Sequence, residues 1–396
     1  MAATQYRIVV LDGLHRSGKS WTLNAAVKEL RASSPPVHVI HLKSGHGIVS
    51  SRELIAAARG LGIGPSALCL DNADRIQGYL DAFGEILTRG DTRIIATGER
   101  TVALAEALEN RFGRESVARV AIPPLSYPEW LADRNLRDSA TALQAYARTG
   151  GLPDSGLFPA DDARNRELLD MRVNSFLLTQ IVERLSLRNP AAIRPMLSLL
   201  AAHMGEILSA REIRDALEGN SSGLSPQSAI DYLEACRLSG LIIPVPVIDL
   251  SAGRELRSAQ VWYFGDNGLR AAFTGRDNAG ESDRALRNLL FLSLKGAGWN
   301  VRQGRLDAGR ERKEEISFVC EARTGRIYVQ SVGNAATAGE RIRKYRALLS
   351  IRDGWPKYLI DPTGPAEGEA VTPDGVRHLL ARDFLREPLI PERTVP

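Results

Sequence analysis

Residues 13 to 20 read GLHRSGKS, which satisfies the spacing G-x-x-x-x-G-K-[ST] at every specified position. The chemistry of that spacing is a grip on phosphate. Gly13 and Gly18 let the backbone curl so that several N–H groups point at one anion, aided by the positive end of the helix that follows. Lys19 would reach the outer phosphates, and the Ser20 hydroxyl would ligate Mg²⁺. The expected contact stretch is therefore Gly13, Leu14, His15, Arg16, Ser17, Gly18, Lys19, Ser20 and Trp21. His15 reads as a variable loop position that touches a phosphate or a neighbouring domain.

A second set of chemical groups lies in ALCLDNADR, residues 67 to 75. Many nucleotide-hydrolysing enzymes end such a strand with two carboxylates, one for the metal and one for the attacking water. Here Asp71 is followed by Asn72. Asp71 suits the metal role, directly or through Ser20. An amide cannot accept a proton at neutral pH, so Asn72 orients water but cannot act as its base. Asp74, just beyond the strand, and Glu99, in DTRIIATGER, are the substitute carboxylates; each reads equally as a solvated loop acid. Arg111 and Arg114 in ENRFGR are candidates for an arginine finger reaching a neighbour's γ-phosphate, or are surface charges.

These groups need a scaffold, and the surrounding pattern supplies one. An apolar run from Ile8 to Leu11 predicts a buried strand ahead of the glycine loop, and WTLNAAVKEL predicts a helix behind it. VHVIHL (37 to 42), ALCLD and Ile94 to Thr97 predict further strands, with a helix from Ser51, its expected N-cap, through Ala58. Alternating strands and helices argue for a doubly wound α/β domain with its ligand at the carboxyl ends of the strands.

The composition is that of a globular protein of 396 residues, 44% hydrophobic and 25% charged, long enough for two or three domains. A net charge of +4 permits an anionic partner without demanding one. Three cysteines stand far apart, without metal-ligand spacing, and fit a reduced, cytoplasmic compartment. No apolar stretch approaches the roughly 20 residues of a membrane helix, and the first residues lack a signal-peptide pattern.

The order GLHRSGKS, LCLDNAD, RIIATGE, PPLSYPEWL (123 to 131) and GGLP (150 to 153) resembles a family of bacterial and archaeal AAA-type, signalling-ATPase-like P-loop proteins. That resemblance implies ATP with Mg²⁺ as the ligand. It also implies three parts: a P-loop domain over 1–160, a helical lid with a winged helix over 161–275, and a restriction-endonuclease-like α/β domain over 276–396. The fold class expected is therefore α/β: a P-loop NTPase parallel sheet, a helical and winged-helix segment, and a degenerate nuclease-like domain. VWYFGDNGLRAAFTG (261 to 275) also matches the family, at Asp266, Gly268 and Leu269, and reads as a strand, a turn and a helix capped by Asp266. Where the family carries a water-activating Glu, this chain carries Asn72.

In the middle segment, a helix after Ser225-Pro226 is expected to bury Ala229, Ile230, Leu233 and Cys236 and to expose Gln227, Asp231, Glu234 and Arg237. Two acids and one base suit a packing lid better than a helix in the major groove. In the last segment, active nucleases of the resembled fold need carboxylates and a lysine where this chain has Arg287, Ser317, Gln330 and Val332. Basic stretches at 302–313 and 340–352 are solvated faces or meet a nucleic-acid backbone.

The reading these residues support first is an ATP-binding switch with weak or absent hydrolysis and no nuclease activity, docking a protein through its C-terminal domain. The alternatives are an ATP-modulated nucleic-acid-binding protein and an ATPase with a non-standard carboxylate. An oligomer is compatible with all three.

Overall fold

The computed structural model describes residues 6–34, 37–43, 50–61, 64–88, 91–153, 163–177, 181, 190–209, 211–213, 215, 226–274, 281–307, 313–323, 325–333, 336–364 and 370–391. The chain divides into two compact units. One comprises Met1–Pro124, Phe176–Leu185 and Ala235–Leu241; the other comprises Leu125–Ser175, Ser186–Glu234 and Ile242–Pro396.

The first unit is built on five parallel strands, β1 (Ile8–Asp12), β2 (His38–Lys43), β3 (Ser66–Asp71), β4 (Thr92–Ala96) and β5 (Val117–Ala121), in the spatial order β2-β3-β4-β1-β5. Successive side chains on a strand point to opposite faces, so each buried strand feeds two cores. Ile8, Val10, Leu68, Leu70, Ile94 and Ala96 pack with α2 (Ser51–Ala58), α3 (Tyr79–Thr88) and α4 (Thr101–Phe112). Leu11, Ala67 and Cys69 pack with Leu23 and Val27 of α1 (Lys19–Ala32). The sheet is thus covered on both faces, and β4 stands between the strand that feeds the glycine loop and the strand that ends at Asp71. The expected helix after residue 50 forms, but its N-cap is Ser50 rather than Ser51, in a capping box with Glu53.

The second unit carries an eight-stranded mixed sheet. Its strands are β6 (Ile242–Asp249), β7 (Arg254–Phe264), β8 (Asn300–Asp307), β9 (Lys313–Ala322), β10 (Gly325–Ser331), β11 (Lys357–Asp361), β12 (Ala370–Val371) and β13 (Val376–Leu380). The hairpin β6–β7, expected as the strand pair of a winged helix, also pairs through β6 with β8 in parallel, Val247 opposite Gln303. It therefore shares one sheet with the C-terminal strands, across the division expected at residue 275. Helix α5 (Tyr127–Asp133) starts in PLSYPEW, followed by α6 (Ala140–Thr149), α7 (Ala163–Phe176) and α8 (Ile193–Ala202). Helix α9 (Pro226–Leu238) buries Ala229, Leu233 and Cys236 as expected, but Ile230 is 47% exposed and Tyr232 and Ala235 are buried instead. Arg237, expected to be exposed, forms a two-pronged ion pair with Glu106 of α4. Ser225 and most of the linker TGRDNAGES lie outside the described residues. Short α10 (Asn267–Ala271) and long α11 (Glu281–Gly296) follow, and α12 (Ala338–Leu349) and α13 (Ala381–Arg386) complete the chain.

Candidate nucleotide-binding site

Strand β1 ends at Asp12, and the glycine loop runs directly from it into α1. Two glycines are needed for different reasons. A Cβ on Gly13 would lie 2.1 Å from the Ile122 carbonyl, so the loop can leave the sheet here only without a side chain. Gly18 sits at φ 104°, a backbone that only glycine enters cheaply, and it launches α1 as its N-cap. The loop is anchored by Thr101, the first residue of α4, whose hydroxyl accepts from the Gly13 N–H at 3.0 Å and donates to the Gly13 carbonyl at 2.9 Å. Thr101 was not singled out from sequence, and its place at the start of a helix beside Glu99 is the only signal that could have marked it.

Lys19 is 7% exposed, and its ammonium donates to the Gly13 carbonyl at 2.8 Å and to the Leu14 carbonyl at 2.5 Å. Burial pulls its pKa down to about 8, against the opposing pull of Asp12, Asp74, Asp71 and Glu99. His15 is lowered too, by burial and then by the Lys19 charge, with Glu99 opposing. Leu14 is buried, Arg16 takes φ 66°, and Trp21 is 76% exposed on the first turn of α1. The Ser17 hydroxyl is buried without a hydrogen-bond partner among the described residues.

At the tip of β3, Asp71 is 4% exposed and gathers hydroxyls. Ser20 donates to its Oδ1 at 3.0 Å, and Thr97, just past β4, donates to the same oxygen. The pairing of Ser20 with Asp71 brings together the two residues expected to hold Mg²⁺. Asn72 turns the chain off the strand in the left-handed region (φ 57°, ψ 51°), and its N–H donates to Thr97 Oγ1 at 3.1 Å.

The two substitute carboxylates part company. Asp74 is a brace: its oxygens accept from the Glu99 N–H at 3.0 and 3.2 Å and from the Arg100 N–H at 3.0 Å. Glu99 is 7% exposed rather than a solvated loop acid, and its charge acts on both His15 and Lys19. Arg75 pairs with it at 2.5 Å. Arg111 and Arg114 are not brought to this loop. A helix rises ~1.5 Å per residue, so Arg111 lies roughly 15 Å along α4 from Thr101. Arg111 leans over the Phe112 ring, and the 90% exposed Arg114 side chain lies 3.8 Å from Glu109, which Arg119 holds with two bonds.

The other motifs that carry the resemblance converge in the second unit, as scaffold. Ser126 and Glu129 of PLSYPEW form a capping box that starts α5, while Tyr127 and Trp130 are buried. The Tyr146 hydroxyl donates to the Leu125 carbonyl at 2.8 Å, and Leu125 N–H donates to the Gly151 carbonyl at 2.6 Å. Asp266, 1% exposed, accepts from Gly151 N–H at 2.8 Å and, as the expected cap, from Leu269 N–H at 3.0 Å. Burial raises its pKa against those N–H bonds. Of the four positions that nuclease chemistry would need, three assemble. Arg287 pairs with Glu315 and also donates to Tyr263 Oη and Gln303, each at 2.9 Å. Gln330 accepts from Ser317 N–H at 2.7 Å and donates to the Glu315 carbonyl at 3.0 Å. Val332 is instead a core residue. Glu314, Glu315 and Lys344 line the same cleft, and sequence reading had assigned none of them to it.

The family model of an AAA domain matches residues 5–131, a span that includes the glycine loop, Asp71 and Glu99. With the five-stranded parallel sheet, this gives that region an AAA-type P-loop ATPase fold. A domain of unknown function (DUF8612) matches residues 140–280, which contain GGLP and the Asp266 turn. An uncharacterized protein of Haemophilus influenzae is 25% identical over 321 residues, covering 80% of this chain and 76% of that protein. Among solved structures, the Walker-type ATPase of Pyrococcus abyssi aligns at 15% identity and a TM-score of 0.45, covering 68% of this chain and 91% of that one. AMPPCP-bound DnaA from Aquifex aeolicus aligns at 15% identity and a TM-score of 0.30, over 59% of this chain and 81% of that one. Among the described residues no helix is long and apolar enough to cross a membrane.

Proposed function

We propose that this chain binds Mg²⁺–ATP on residues 13 to 21 and uses it as a cytoplasmic switch, with slow or absent hydrolysis. The observation that carries the reading is the meeting of Lys19, Ser20 and Asp71 at the tips of β1 and β3. The donor set fits the group. Magnesium takes one or two hard oxygens from the protein and completes its shell with phosphate and water. Ser20 and Asp71 are such a pair, and among the described residues no cluster of three or more His, Cys, Asp or Glu competes for a metal. The buried, unsatisfied Ser17 hydroxyl and the Gly18 backbone suit the close approach of a phosphate. When bound, magnesium supplies neutralising charge to the phosphates.

Slow hydrolysis follows from the bases on offer. Asn72 cannot take a proton, and the Asp74 oxygens are occupied by two backbone N–H groups. Glu99 is within the electrostatic reach of Lys19, but its Oε1 is engaged by the Arg75 guanidinium at 2.5 Å, and an oxygen held by that ion pair is a poorer acceptor for a proton from water. The switch would act through the helical segment on the region 276–396, which would dock a protein and not cut DNA, because Arg287 stands where a metal-binding carboxylate is needed. Titration with ATP tests the core of this reading: wild type binds in the presence of Mg²⁺ and Lys19→Ala does not. Equal, poor binding by both sinks it. A second reading, an active ATPase with Glu99 as base, is favoured by the burial of that carboxylate near Lys19; turnover that vanishes in Glu99→Gln while binding persists would establish it.

A further inference from the structure

The second unit holds a cleft of about 260 Å³ lined by Arg287, Glu314, Glu315, Gln330, Arg343 and Lys344. Nothing in the nucleotide site uses it. We propose that this cleft binds a phosphate group of a nucleic-acid backbone, with Arg343 and Lys344 as the donors.

The cleft is built to present positive charge. Arg287 is anchored on one side by three groups, Glu315, Tyr263 and Gln303, so its position is set by protein rather than by solvent. Gln330 has both ends of its amide engaged with backbone, to Ser317 N–H and the Glu315 carbonyl. What is left for a ligand comes from α12. Among the described residues Lys344 is bonded only to the Ser331 carbonyl, which leaves two of its three N–H donors. Arg343 is exposed and has no ion-pair partner among the described residues, so its guanidinium is at the disposal of an incoming oxyanion. Burial, with the nearby Arg287 charge, pulls Lys344 below the usual lysine range; like charges crowded in one cleft are relieved by an anion. Glu314 is the opposing charge, and it restricts the ligand to a site beside α12.

A backbone rather than an isolated phosphate is favoured by what lies next along the helix. Arg346, exposed, is three residues on from Arg343, on the same face and within one turn, roughly 4.5 Å along the axis. One strand could therefore lay one phosphate in the cleft and the next against Arg346. The site is independent of the glycine loop, and its test is run on the full chain carrying Lys19→Ala, so that the loop adds no phosphate grip of its own. The probes are a fluorescent single-stranded oligonucleotide, followed by anisotropy, and inorganic phosphate, followed by calorimetry. The expected result is oligonucleotide binding that weakens with salt and falls about tenfold in Arg343→Glu, with a salt dependence shallower by about one ion. Lys344→Met weakens it similarly; should that variant fold poorly, the exposed Arg343→Glu decides alone. Phosphate binding sensitive to Arg343→Glu without oligonucleotide binding overturns the backbone and assigns the cleft to a free phosphate. Absence of both, or binding indifferent to Arg343→Glu, overturns the site.

Discussion

Asp71 and Asp266 are both acids, 4% and 1% exposed, and both stand where a strand gives way to a turn. Their partners differ in kind. Asp71 receives the hydroxyls of Ser20 and Thr97, which can rotate away and offer their oxygens to something else. Asp266 receives the backbone N–H groups of Gly151 and Leu269, which cannot leave without unravelling the chain on either side of it. A buried carboxylate held by hydroxyls is therefore equipped for exchange with a ligand, and one held by peptide N–H groups is a rivet. Asp74 follows the second pattern inside the first unit, which is why it reads as a brace rather than as a base.

The sharpest way to break this comparison is to remove both carboxylates in turn. Asp266→Ala orphans two buried N–H donors and should destabilise the second unit by about 3 kcal/mol. Asp71→Ala should leave thermal stability nearly unchanged while abolishing the dependence of ATP binding on Mg²⁺. Melting curves and titrations of both variants, with and without Mg²⁺, separate the roles; a reversed outcome would end the distinction.

Next in size is Lys19→Ala, expected to weaken ATP binding about 100-fold, or about 2.7 kcal/mol. A smaller, graded effect comes from pH. A lysine whose folded pKa lies near 8, below its unfolded value of 10.5, is less willing to be charged when folded. Between those values the unfolded chain holds more protons, so this group makes the unliganded protein more stable as pH rises through that window. Binding an anion needs the charged form, so ATP affinity should fall by up to about tenfold per pH unit above about 8. Calorimetry across that range checks it, and Lys19→Ala should flatten the profile. The smallest effect is expected at the Arg75–Glu99 ion pair: Arg75→Ala removes that pairing and should raise ATP turnover by a few-fold, measured by phosphate release. No change there would mean that Glu99 is not a base held in reserve.

Much of the first unit was legible from sequence because short-range chemistry specifies it. The glycine spacing, the lysine and the apolar runs of four or five residues identify strand, loop and helix without reference to any distant residue. The helix cap at residue 50 was missed by one position, since Ser50 and Ser51 offer the same hydroxyl and only the reach to Glu53 chooses between them. Ile230 was misjudged for a similar reason: periodicity shows that a helix has an apolar face, while its neighbours decide where that face ends.

What the sequence by itself determined is the glycine loop with its lysine and serine, the acid that ends β3, and the amide at Asn72 beside it. These depend on residues close along the chain, whose geometry is limited by a few backbone dihedrals. Only the tertiary structure decided that Thr101 holds Gly13, that Asp74 is spent on backbone while Glu99 is buried and paired with Arg75, and that the 242–264 hairpin shares a sheet with the C-terminal strands. Those pairings join residues tens of positions apart, and hydrogen-bond donors and burial are assigned there by packing, which no local pattern encodes.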